Sequence, residues 1–144
     1  MTLRNVLILL ARVGLGVIFV AHGWQKFVIN GIGATQQGFA SMGAPAPDVS
    51  AVIAATVELV GGIGLILGLA TPVWALLLFA IMVGAFLISH LGHGLFVAKG
   101  GFEFVLALGA SMLLLVVTGP GRFSVDAALG DRLPWNRGVA APQV

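Results

Sequence analysis

The 144-residue sequence contains no cysteine, which excludes disulfides, a thiol nucleophile and any iron–sulfur cluster held by the chain's own sulfur atoms. Thiol chemistry, if the protein takes part in it, belongs to a substrate or a partner. Charge is almost as scarce, with seven Lys and Arg against five Asp and Glu. An excess so small and so dispersed makes no nucleic-acid surface, and no nucleic acid is expected as a partner. The chain also lacks a phosphate-binding loop, a nucleophile elbow and a dinucleotide fingerprint.

What fills the sequence instead is hydrocarbon. Hydrophobic residues make up 59% of the chain, beyond the range of soluble domains. Four apolar stretches stand out, at about 6–29, 49–70, 73–91 and 102–118. At about 1.5 Å per residue, stretches of some twenty residues cross a hydrocarbon core of about 30 Å. The expected fold is therefore all-α, an integral membrane four-helix bundle in contact with the lipid bilayer. It divides into a membrane domain over 1–121 and a polar tail over 122–144. Arg12 interrupts the first stretch and no small-residue cleavage site follows it, so the stretch reads as a retained span rather than a signal peptide.

Between the spans, Asn30-Gly31-Ile32-Gly33 breaks the first, and Pro45 and Pro47 limit the linker, where Phe39 and Met42 suit a short interfacial helix. Asp48 or Ser50 is placed to cap the second span. The turn at Thr71-Pro72 makes the second and third spans antiparallel neighbours. Gly119-Pro120-Gly121 ends the fourth. With four spans both termini share one side, which carries Arg4, Arg122, Arg132 and Arg137 against Lys26 and Lys99 opposite. That bias puts the termini in the cytoplasm. Trp74 and Trp135 then read as anchors at the cytoplasmic interface.

Two polar layers carry the chemical interest. Arg12 and Glu58 both fall near mid-membrane by residue count, where an isolated charge costs at least about 2.5 kcal/mol. They are expected to form a buried ion pair, either a strut that fixes helix register or part of a proton path. Small residues Ala51, Ala54, Ala55, Gly61 and Gly62 share the Glu58 face, and Gly64 with Gly68 suggests a close helix crossing. Near the outer end, His22 and Lys26 are spaced i, i+4, His90 and His93 i, i+3, and Glu103 opens the fourth span.

These five residues are the candidate ligand-binding set, with His90, His93 and Glu103 as candidate proton carriers. Three histidines and a carboxylate suit a quinone head group, or less well a haem or a metal held by His22, His90 and His93. The bland alternative is a set of interfacial side chains with water at hand. Trp24, Phe27, Phe96, Phe102 and Phe104 crowd the same level, as an aromatic belt or as the walls of a cavity for a planar ring.

Arg12 with Gly14 and Gly16, His22-Gly23-Trp24-Gln25-Lys26, Glu58 with Gly61-Gly62 and Gly68, and Gly100-Gly101-Phe102-Glu103 together resemble the DoxX family of small bacterial membrane proteins. The resemblance spans about Leu3 to Gly121. It implies a multi-pass protein of the bacterial cytoplasmic membrane. Relatives include a subunit of thiosulfate:quinone oxidoreductase and a member associated with a superoxide dismutase and a sulfurtransferase. It therefore suggests a membrane subunit in redox metabolism or oxidant defence, with a quinone near the outer face. A non-catalytic adaptor for soluble redox enzymes and a small transporter or lipid-handling protein are the competing readings. Self-association would enlarge so small a bundle.

Overall fold

The computed structural model describes residues 2–136, apart from the side chains of Asp131 and Asn136. Six helices follow one another: α1 (Leu3–Ile29), α2 (Ile32–Ser41), α3 (Pro47–Leu67), α4 (Thr71–His90), α5 (Glu103–Thr118) and the short α6 (Val125–Leu129). There is no strand among the described residues. Helices α1, α3 and α4, of 27, 21 and 20 residues, are long and apolar enough to cross a membrane. Helix α5 has 16 residues, roughly 24 Å of rise. The protein is an all-α membrane bundle, with three long apolar helices and the shorter α5 close to where the apolar stretches put them.

Packing runs in a chain, α1 on α3, α3 on α4 and α4 on α5, while α1 and α5 touch little. The core is Phe19, Leu65, Leu78, Met82, Leu108 and Met112. Outward positions such as Leu10, Leu114 and Val117 remain exposed, as expected where lipid rather than water covers the surface. Glycines set the α1–α3 register. A methyl group on Gly16 would stand 2.7 Å from the Gly62 carbonyl oxygen, and one on Gly23 only 2.5 Å from the Leu59 nitrogen. The two backbones therefore meet directly, the packing that small residues allow between membrane helices.

That register separates the two charges expected to pair. Arg12 lies beside Gly68, and Glu58 is ten residues earlier on α3, about 15 Å along the axis. Counting ten residues from His22 back to Arg12 and ten from Asp48 on to Glu58 gives both a mid-membrane depth, whereas α1 runs on past His22 to Ile29. Helix α1 is in fact several residues longer than α3, which puts Lys26 rather than Arg12 within reach of Glu58.

Arg12 instead serves the base of the bundle. Its guanidinium donates to the Pro120 carbonyl at 2.7 Å and to the Phe123 carbonyl at 2.6 Å. Asp126 is fully buried and accepts from the N–H groups of Ala70 and Thr71 at 2.8 and 2.9 Å. It thus caps α4 from across the chain, satisfying donors that a helix N-terminus leaves open. The Asp126 N–H donates to Gly68, the Arg122 N–H to Asn5 Oδ1, and Trp135 Nε1 to Asp126 Oδ1. Residues 119–135 thus fold into the base, beside the start of α1. Arg137 and the rest of 137–144 lie outside the described residues.

Other local expectations also change. Helix α3 starts at Pro47, and no side chain caps it, because proline at the first position needs no partner for a missing N–H. The short helix expected around Phe39 is α2, and it packs on α3. Gly64 makes room for the Trp74 indole, and Gly68, with positive φ, ends α3 beside Arg12. The pair therefore marks no helix crossing, and Trp74 packs against α3 rather than standing out as an anchor.

Candidate functional site

At the end opposite the base the helices part around a cavity of about 410 Å³. Helix α1 contributes Phe19, His22 and Lys26; α2 and its end, Phe39 and Met42; α3, Ser50, Ala54 and Glu58. The far wall is α4, with Gly84, Ile88, Ser89 and His90, and α5 adds Phe104, Val105 and Leu108. The volume is within the range of small-molecule sites, and a mostly apolar lining with a few convergent polar groups is their usual make-up.

Lys26 Nζ lies 2.5 Å from Glu58 Oε2 and forms an ion pair with it. Glu58 thus belongs to the outer cluster, an assignment the residue counts missed. Two sequence signals bear on it. Ser50, Ala54 and Glu58 follow at i, i+4 and i+8, one stripe of α3, and the glycine contacts align that stripe with Lys26. Ser50 Oγ is buried and without a hydrogen-bond partner, which leaves a polar atom in the wall for a ligand to meet.

Lys26 and His90 both stand in π-helical turns, Gln25–Ile29 and Phe86–His90, that end α1 and α4. The wider turn is visible in the bond from the Asn30 N–H to the Gln25 carbonyl, at 2.8 Å. Such turns are rare and recur at functional sites. Here neither helix has a glycine or proline inside the turn to account for it. Thr35 Oγ1 donates to the Lys26 carbonyl, anchoring the α1 turn to α2.

His90 Nδ1 lies 2.8 Å from the Gly100 carbonyl. A carbonyl only accepts, so Nδ1 carries the proton and Nε2 of the neutral ring is an acceptor. The loop that supplies this carbonyl is closely built. Gly101 lies against the backbone of Gly94 and Leu95, leaving no room for a side chain, and Gly100 has φ +79°. Glu103 Oε1 accepts from the Val97 N–H at 2.7 Å. The motif Gly100-Gly101-Phe102-Glu103 therefore buckles the loop that orients His90.

Of the five residues expected to converge, His22, Lys26 and His90 line the cavity, while His93 and Glu103 do not. His93 is exposed beside Gly100, and the Glu103 carboxylate is bonded within its loop. His22, His90 and His93 do not gather as metal ligands, and no group of three His, Asp or Glu suited to a metal is found among the described residues. Three residues across the last turn of α4 carry His93 beyond the helix, into the loop. The aromatic residues divide similarly. Phe104 faces the cavity and meets the His22 ring at 5.9 Å, and Phe102 packs edge-on against Phe86, whereas Trp24 and Phe96 point outward.

The sequence model of the DoxX family matches residues 7–91, which includes the first three spans and every cavity residue on them. The chain belongs to the DoxX family. It is 34% identical over 128 residues to the inner membrane protein YphA of Escherichia coli, covering 85% of this chain and 90% of that protein. It is 32% identical to the inner membrane protein YqjF of the same organism, covering 90% and 97%. A third relative, named "Putative oxidoreductase CatD" in Bacillus subtilis, is 34% identical, covering 82% of this chain and 83% of its own. No solved structure matches the chain. This DoxX protein is thus a multi-pass protein of the bacterial cytoplasmic membrane.

Proposed function

We propose that this DoxX protein is the membrane subunit of a redox system and holds a quinone, or a ring of similar size and polarity, in the cavity. The observation that carries the reading is the Lys26–Glu58 pair, set in an apolar cavity beside His22 and His90. A charged pair needs no cavity to stabilise it, and a lipid-filled gap needs no charges. Together they suit a ligand with an apolar ring and polar oxygens. Lys26 has N–H groups besides the one on Glu58 and donates to a ring carbonyl. Glu58 and the Nε2 of His90 accept from a ring hydroxyl and serve as proton carriers.

The chain has no thiol, so the electrons come from a partner redox enzyme. The name of the Bacillus relative is in keeping with this reading. On this reading the base, with Arg4, Arg122 and Arg132 exposed against Lys26 and Lys99 toward the cavity end, faces the cytoplasm and the cavity faces the outer leaflet. The transporter reading finds no comparable feature, since Arg12 does not line the cavity with Glu58.

The test is the quinone that the protein carries out of its own membrane. Protein purified in mild detergent is extracted and its quinone is measured against protein by mass spectrometry. The wild type is expected to hold about one quinone per chain. Gly84→Leu, at a cavity position with open space, should lose most of it while keeping its helical content. Equal quinone in both proteins, or none in either, would count against the cavity as a quinone site.

A further inference from the structure

We propose that the seam between α1 and α5 is a binding site for an anionic phospholipid, with the phosphate at Arg4 and one acyl chain along the groove. This is independent of the redox reading. The seam is the one side where neighbouring spans of the bundle do not close on each other, and it holds a groove of about 560 Å³ at the base. Leu3, Leu7, Ile8 and Leu15 form one wall, Leu114 and Leu115 part of the other.

The shape of the groove fits a chain in one leaflet. From Leu3 to Leu15 it runs twelve residues along α1, roughly 18 Å, close to half of a hydrocarbon core of about 30 Å. It starts where α1 starts and stops near mid-membrane. Ser111 is on the wall, but its hydroxyl is bonded to the Ala107 carbonyl of its own helix. That wall therefore offers hydrocarbon.

The mouth supplies the charge. Arg4 lines the groove, and the Arg122 backbone is bonded to Asn5, which sets a second arginine beside it. Both side chains are exposed. Asp126, the buried acid of the base, accepts from the N-terminus of α4. Cations at the level of the headgroups above an apolar groove select an anionic lipid over a zwitterionic one.

Native mass spectrometry tests this. The protein in mild detergent is offered equal amounts of phosphatidylglycerol and phosphatidylcholine with identical acyl chains, and retained lipid is counted. Wild type should retain phosphatidylglycerol roughly tenfold over phosphatidylcholine. Arg4→Gln with Arg122→Gln should abolish the preference, and Ala11→Trp, which fills the groove, should abolish retention of both lipids. Circular dichroism confirms that each variant is folded, and Leu114→Phe is a second filling variant should Ala11→Trp not fold. Equal retention of the two lipids by the wild type, a preference that survives loss of both arginines, or a lipid-free dimer would overturn the proposal.

Discussion

Lys26 and Glu58, thirty-two residues apart in sequence, meet across the α1–α3 interface with Nζ 2.5 Å from Oε2. The carboxylate is the more deeply buried partner, its side chain 6% exposed against 19% for the lysine. Lys26→Met should therefore be the more damaging single change, by about 3 kcal/mol, because it leaves a buried charge alone. Glu58→Gln should cost less, since the lysine can extend toward water. The double variant should recover more than half of the Lys26→Met loss. Thermal unfolding of the four proteins in detergent checks this, and simple additivity would mean that the pair is not coupled.

A second contrast concerns glycine. Gly23→Ala puts a methyl group 2.5 Å from the Leu59 backbone, whereas the same change at Gly84 meets nothing within 4 Å. Gly23→Ala should destabilise by about 2 kcal/mol as α1 and α3 are pushed apart, and Gly84→Ala should stay within about 0.5 kcal/mol of wild type. Equal melting temperatures would show that the helices do not cross where these glycines meet.

The base makes a prediction about truncation. Removing the chain from Phe123 onward deletes the Phe123 carbonyl that accepts from Arg12 and the carboxylate that caps α4. The shortened protein should melt well below the full one. Asp126→Ala alone should lose about 2 kcal/mol, at the upper end for a helix cap because the donors it serves are buried. If the truncated bundle melts with the full chain, the segment is an appendage after all.

Much of this was legible in the sequence, and each failure has a physical cause. Composition and span length announce a four-helix membrane bundle because lipid demands long apolar helices. His22, Lys26 and His90 were legible as neighbours because antiparallel spans bring their ends level. What the sequence hides is the offset between helices of unequal length, fixed by contacts such as Gly23 with Leu59. One wrong offset paired Glu58 with Arg12. The capping of α4 by Asp126 was hidden for another reason: the residues are more than fifty apart, and no local pattern announces such a bond. His93 was placed with His90 by helical spacing, but α4 has ended before it.

His90 and His93 should accordingly separate in experiment. His93→Ala should leave quinone retention unchanged. His90→Ala should lower it severalfold with the fold intact. Glu103→Ala should raise hydrogen exchange at the Val97 amide, since it removes that amide's acceptor, and disturb His90 only through the loop. An equal loss of quinone with His93→Ala would return that residue to the site.

The bonds from Arg12 to Pro120 and Phe123 reach 108 and 111 residues along the chain, which matters for how the protein is made. During synthesis at about 5–20 residues per second, α1 enters the bilayer several seconds before either carbonyl exists. For that interval its buried cation has no permanent partner and must face water, lipid headgroups or the insertion machinery. A segment made after α5 therefore completes the first span. A nascent chain stalled before Pro120 would carry an arginine without these two acceptors.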